Sequence, residues 1–278
     1  MDATVKKRLR KVYAHTVLVI ASIIFLVPFI WMVSTSFKPI TQVFSFPPEF
    51  IPRPFQWENY IEATQYIPFW TYTYNTAVIT GLSTLGVVIS CPIVAYSFAK
   101  LRWRGRNTMF AITIAVMMIP AQVTMIPLFL LFNQFGWVGT NLPLIVPAFF
   151  GVPFSIFLLR QFFKGLPDTL REAAKIDGAS EWRIYWQIMF PLAKPAILAI
   201  ALFQFMAAWT DFLGPLIYLT EEASYTLSLG LQQFQNQQGS QWHLMMAVST
   251  MMTLPIIILF FFMQKTFIRG ITFTGIKG

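Results

Sequence analysis

Residues 172–195 read EAAKIDGASEWRIYWQIMFPLAKP, and they interrupt a chain that is otherwise mostly apolar. Just upstream, Gly165-Leu166-Pro167-Asp168 marks a helix start. Pro167 suits a first helical position, where the missing N–H costs nothing. Asp168 in the first turn complements the helix macrodipole. Leu166, Leu170, Ala173 and Ala174 share one face at 3.6-residue spacing, and Glu172 stands within pairing reach of Lys175. Gly178, after Asp177, suits the left-handed position that ends a helix. Ser180 is placed to cap a second helix carrying Trp182, Ile184, Tyr185 and Ile188. Pro191 and Pro195 bracket the entry to the next apolar run. Such an element either floats on a membrane surface or docks on another protein through alanines small enough for close backbone approach. The residues by themselves leave both open.

The rest of the chain is built for a bilayer. Its 278 residues are 56% hydrophobic and 11% charged, against about 25% charged in soluble domains, and the mean hydropathy is +0.61. Six apolar runs reach the roughly 20 residues needed to cross: 15–37, 75–99, 109–132, 142–163, 196–219 and 244–267. The third and fourth are punctuated by Pro120, Pro127, Pro143, Pro147 and Pro153. Of the Lys and Arg residues, 18 fall in alternate connecting segments and 2 in the others. Basic loops stay in the cytoplasm, so both termini and residues 164–195 are expected there. The net charge of +9 is thus a topology signal and not a nucleic-acid footprint. The first run is too long for a signal peptide and lacks a small-residue cleavage site, so it reads as a retained span. One cysteine, Cys91, excludes an intrachain disulfide, and the separated His15 and His243 read as interfacial residues, not a metal site.

Two outer segments stand out. Residues 38–74 contain FSFPPEFIPRPFQWENY, whose prolines favour extended structure and whose aromatics suit the headgroup level. Residues 220–243 contain LQQFQNQQGSQWH, rich in amides that suit hydroxyl-bearing ligands or a protein partner. The outer acids Glu49, Glu58, Glu62, Glu221 and Glu222 argue against an anionic solute. Asp211 lies within the fifth run, and an intramembrane acid marks a pathway or a gate by default. Gly214-Pro215 just beyond it is expected to break the helix, as tolerated beside a wet cavity.

The anchors of residues 172–195 resemble the permease subunits of bacterial ATP-binding cassette importers: Glu172-Ala173-Ala174, three residues, Gly178, nine residues, then Ile188-Met189-Phe190-Pro191. The wider form with Asp177 and Ala179 is similar to the sugar importers. So is Trp209-Thr210-Asp211-Phe212-Leu213-Gly214-Pro215-Leu216, and so are Thr226–Leu231 and the ending Ile268–Gly278. Thr210, Gln241, Ile271, Phe273 and Ile276 depart from the common pattern. The resemblance points to the smaller, six-span membrane subunit of the maltose/maltodextrin family.

That resemblance implies an all-α, multi-pass protein of the bacterial cytoplasmic membrane. It divides into a basic N-terminus 1–14, a six-helix domain 15–269 and a tail 270–278. It implies a second homologous permease, two ATPase subunits that carry ATP and magnesium, and an external solute-binding protein. This chain has no GxxxxGK[ST] loop of its own, so neither catalytic residues nor a cofactor are expected in it. Glu172, Ala173, Ala174, Asp177, Gly178 and Ala179 would dock on an ATPase subunit, in a coupling loop 164–195. Trp209, Asp211, Gly214 and Pro215 would line the pathway or a gate, and Gln235, Asn236, Gln237, Gln238 and Gly239 would contact the binding protein. The expected solute is an oligo- or disaccharide. The competing reading, an ion-coupled secondary transporter, would need more intramembrane acids or histidines than Asp211 alone.

Overall fold

The computed structural model describes residues 3–235 and 239–272, with side chains from 8 to 235 and from 239 to 264. Every regular element among the described residues is helical. Four stretches are long and apolar enough to cross a membrane: Arg8–Ser36 in α1 (Ala3–Ser36), α3 (Phe69–Lys100), Leu142–Gly165, and Trp242–Gln264 in α11 (Trp242–Thr272). Two bent pairs raise the number to six if each counts as one span. A short helix α2 (Glu58–Tyr66) precedes α3.

The third apolar run is not one straight helix. It divides into α4 (Arg106–Met117) and α5 (Ala121–Gln134), bent by 101° at the break. Pro120 forces the preceding residue out of helical backbone and stands as the N-cap of α5. At about 1.5 Å per residue, neither half alone spans a hydrocarbon core of about 30 Å. Residues 142–165 are also interrupted. A 3-10 turn (Val146–Phe150) leads through Gly151, at φ +97°, into α6 (Pro153–Gly165), which Pro153 opens.

The fifth run corrects a second expectation. Its helix α9 (Lys194–Trp209) ends before Asp211, and α10 (Leu213–Tyr218) follows. The break lies at residues 210–212, while Gly214 and Pro215 sit in the first turn of α10. There an N–H has no intrahelical partner, so Pro215 costs nothing. Asp211 Oδ1 accepts the Gly214 N–H at 3.1 Å, which caps the new helix.

The chain forms two compact units, Met1–Phe69 with Leu231–Leu254, and Trp70–Gly230 with Pro255–Gly278. In the first, α1 exposes apolar side chains along most of its length, a surface that lipid covers in a membrane. At its end Phe37 stacks on Phe55 and meets Trp57 and Tyr60 edge-on or tilted. The fully buried Lys38 places its ammonium 3.8 Å from the Trp31 ring. The Gln42 side chain bonds Ile51 O and the Arg53 N–H, folding the proline-rich segment back on itself.

In the second unit a core of Cys91, Leu159, Phe163, Ile184, Tyr185 and Met189 joins α3 and α6 to the element at 168–192. Small residues on α3 permit close approach. A Cβ on Gly86 would stand 2.8 Å from the Phe149 ring, and Ser90 Oγ donates to Ala148 O.

Candidate functional site

Residues 168–192 form the expected helix, glycine turn and helix. The first helix, α7 (Asp168–Ile176), has Pro167 as its N-cap residue, one position earlier than its sequence suggested, and Asp168 as its first helical residue. Its end is a complete Schellman cap. Gly178, at φ +76°, donates to Lys175 O at 3.0 Å, and Ala179 donates to Ala174 O at 2.9 Å. These bonds satisfy carbonyls that the helix end would otherwise leave open. Ser180 then caps α8 (Glu181–Leu192), its Oγ accepting the Arg183 N–H at 3.3 Å. Pro191 has no N–H to offer Gln187, four residues back. The helix loosens to a π-turn at Tyr185–Met189, with the Phe190 N–H reaching Tyr185 O.

Two expectations about this element are corrected. Glu172 does not pair with Lys175. Lys175 Nζ turns instead to Glu181 Oε1 at 2.7 Å, and among the described residues Glu172 has no ion-pair partner. Nor do Ala173 and Ala174 share an exposed face. Ala174 is buried in the core against the π-turned helix, whereas Ala173 is exposed. A pair of adjacent residues on a helix is separated by about 100°, so one faces in when the other faces out.

Toward the turn, the exposed residues of α7 and its cap include Glu172, Ala173, Ile176, Asp177 and Gly178. Ile176 is 86% exposed, with Trp182 at 59% just beyond the turn. Sequence reasoning passed over Ile176. Its signal was an aliphatic residue at the last helical position beside a polar turn.

The element is also braced by charge. Arg171 and Lys175, one turn apart on α7, both bond the Glu181 carboxylate. Lys100 Nζ, at the end of α3, donates to Asp168 Oδ1 at 2.6 Å and to Leu166 O at 2.7 Å. The hydrogen bond and charge of Lys100 hold the Asp168 carboxyl below its ordinary value. None of these pairs was read from the sequence, since each joins residues brought together only by the turn or by packing.

The other candidates fall in two places. Asp211 and Pro215 line a cavity of about 320 Å³ with Ile79, Leu144, Gln204, Ala207 and Ala208. Trp209 and Gly214 do not. Trp209 is buried against Phe205 with ring centroids 5.4 Å apart, and Gly214 packs so closely on Asp211 that a Cβ would overlap its carboxylate. In the amide-rich loop, Gln235 is exposed and donates to Met245 Sδ, and Gly239 has φ +137° with open space around it. The loop is closed at its base by the Gln241 N–H on Phe234 O, and the buried Phe234 stacks on Tyr66. Asn236, Gln237 and Gln238 lie outside the described residues, as do residues 273–278 of the tail.

Known proteins share this chain's sequence and fold. It is 34% identical over 254 residues to the arabinooligosaccharides transport system permease protein AraQ of Halalkalibacterium halodurans, covering 90% of this chain and 91% of that one. It is 30% identical over 279 residues to the inner membrane ABC transporter permease protein YcjP of Escherichia coli, covering 99% and 100%. A subunit in the crystal structure of a bacterial ABC transporter that imports the acidic polysaccharide alginate superposes with a TM-score of 0.80. The two are 26% identical, and the match covers 94% of this chain and 97% of that chain. Residues 90–273 match the family described as binding-protein-dependent transport system inner membrane component. With more than half of its length inside that match, the chain belongs to this family of inner-membrane ABC transporter permeases.

Proposed function

We propose that the chain is one of two related membrane subunits of an ATP-driven importer, and that the solute it passes is an oligo- or disaccharide. Two relatives, named for arabinooligosaccharides and for alginate, support a carbohydrate. In this reading six spans cross the membrane, with α4–α5 counted as one and α9–α10, the fifth apolar run, as another. Both termini and residues 164–195 face the cytoplasm, a topology supported by the 18-to-2 division of basic residues. Residues 38–74 and 220–243 lie outside, where Gln235–Gly239 meets the binding protein.

The observation that carries the proposal is the exposed apex of α7, where Ile176 protrudes beside Glu172 and Gly178. An aliphatic residue that exposed, on an element capped at its turn and braced behind by ion pairs, is suited to a cleft in another protein. The apex seats in an ATPase subunit, and closure of the ATPase pair on ATP moves the element as a lever. Differential binding of the apex in the two states is what shifts the spans between inward- and outward-facing arrangements. Glu172, free of internal partners among the described residues, supplies a charge-assisted hydrogen bond across that joint, worth about 1.5–3 kcal/mol.

ATP and magnesium belong to the ATPase subunits in this scheme, and the chain supplies no catalytic group. The Asp211 cavity forms part of the path or its gate, with the carboxylate and Gln204 offering acceptors and donors to sugar hydroxyls. An ion-coupled transporter would work without an ATPase, and the family assignment argues against it.

The test has two arms. The external binding protein encoded beside this chain is titrated with neutral oligosaccharides and with an acidic one. The chain is then co-expressed with its partner subunits, purified, and reconstituted into proteoliposomes. Uptake of the bound sugar that needs ATP and is blocked by vanadate is expected. Uptake driven by an ion gradient with no ATPase present would overturn the proposal.

A further inference from the structure

The end of α3 is fastened to the helix–turn–helix at two points, the start of α8 and the start of α7. Tyr96 is 4% exposed, and its hydroxyl donates to Glu181 Oε2 at 2.9 Å. The same oxygen accepts Arg171 Nε at 3.1 Å, while Oε1 takes Lys175 at 2.7 Å. One carboxylate at the start of α8 therefore gathers donors from α3 and from α7. Four residues further along α3, on the same face, Lys100 is bonded to Asp168 at the start of α7 and to Leu166 just before it. The Lys100 side chain is 3% exposed, so this contact is sheltered on the lysine side. The first fastening reaches Arg171 and Lys175 of α7 through the Glu181 carboxylate, and the second holds the beginning of α7 directly.

We propose that Tyr96 and Lys100 are positioning residues that carry the movement of α7 directly into α3, so that the second span is driven through space and not only through the chain. Covalent continuity delivers a displacement of α7 to α6, through Leu166, and to α9, through α8. It does not reach α3, which is separated from α7 by more than sixty residues of sequence. Hydrogen bonds at two points one helical turn apart resist both sliding and rotation, which a single contact would allow. The rigid carboxylate makes the Tyr96 link geometric: it holds only while Arg171 and Lys175 keep Glu181 in place. The proposal rests on the reading of α7 as the ATPase-docking element.

The experiment uses the whole importer in proteoliposomes and reads solute accumulated per ATP hydrolysed, alongside the melting temperature of the purified complex. The variants are Tyr96→Phe, Lys100→Met, both together, and Lys100→Arg. The double variant is expected to keep all subunits together and hydrolyse ATP while the ratio falls at least about fivefold, the lower end of typical coupling between sites. Lys100→Arg, which keeps a cationic donor, restores most of it. A ratio equal to wild type overturns the proposal. So does a fall in melting temperature with uptake and hydrolysis reduced in proportion, because the network is then a structural brace. Ile176→Asp tests the underlying docking reading separately. If Ile176→Asp leaves assembly and uptake intact, docking fails. If it disrupts both while the double variant keeps the wild-type ratio, only the α3 linkage fails.

Discussion

Gly178 separates two things that the docking site needs, a backbone shape and a surface. Its φ of +76° is left-handed, and no atom lies within 4 Å of a Cβ built there. A side chain therefore meets conformational strain and no clash. For an ordinary L-residue that strain is about 1–2 kcal/mol. Each of the two cap hydrogen bonds at Lys175 O and Ala174 O contributes about 0.5–1.5 kcal/mol net. The strain thus rivals the cap itself, and Gly178→Ala lowers the equilibrium in favour of the capped turn by about 5–30-fold. Asn and Asp adopt the left-handed region more readily than other side chains, so Gly178→Asn is expected to retain more uptake than Gly178→Ala. Gly178→Val, being β-branched, is expected to retain least of the uncharged variants. Gly178→Asp has nearly the shape of Asn but sets a carboxylate on the docking face, and is expected to abolish uptake. The assay is ATP-dependent solute uptake into membrane vesicles, normalised to the amount of each variant in the membrane by immunoblot. Uptake by Gly178→Val equal to wild type, or by Gly178→Asn no better than by Gly178→Val, would refute the strain argument. Equal uptake by the Asp and Asn variants would refute the role of the surface.

Glu172→Lys reverses the charge of an exposed residue with no internal partner, so it is expected to abolish uptake while leaving membrane level and melting temperature unchanged; retained uptake at normal expression would exclude Glu172 from the joint. The Asp168 carboxyl is held below its ordinary value by Lys100, so its contribution is fully present above the ordinary Asp value of about 4 and is lost as pH falls through the depressed folded value. The melting temperature of wild type relative to Asp168→Asn is accordingly expected to be constant from about pH 5 to 8 and to converge only at more acid pH. Asp211→Asn keeps the shape of the residue while removing the charge that faces the cavity, and is expected to alter uptake or the range of sugars accepted; unchanged values for both would reduce Asp211 to a helix cap.

The helix–turn–helix was legible because its signals are local. A proline, an acid in the first turn, a glycine after the last turn and a serine before the next helix each act within four residues, and Gly178 and Ser180 stand where those signals put them. The bilayer character was legible too, because it is a property of composition. What the sequence hid was set by chain reversal. The Gly178 turn swings Glu181 back onto Arg171 and Lys175, so Lys175 meets an acid six residues ahead and not Glu172 three behind. Periodicity grouped Ala173 with Ala174, but only packing against the π-turned helix decided which was buried. The break at residues 118–120 was signalled by Pro120, whereas the one expected at Gly214-Pro215 falls at residues 210–212. The shift comes from Asp211, which caps the new helix and so places Gly214 and Pro215 inside its first turn. Tyr96 and Lys100 carried no signal at all, since their partners lie more than sixty residues away.

The central claim is that the apex of α7 seats in an ATPase subunit, and a cross-link tests it most directly. The single native cysteine, Cys91, is buried, so a Cys91→Ala background is free of competing thiols on this chain. Ile176→Cys in that background, within the assembled importer, is treated with a short thiol-to-amine cross-linker with and without ATP. The account predicts a product joining this chain to the ATPase subunit, with a yield that changes when ATP closes the ATPase pair. Ready modification of Ile176→Cys by a membrane-impermeant reagent in the intact complex, with no product to the ATPase subunit in either state, would contradict it.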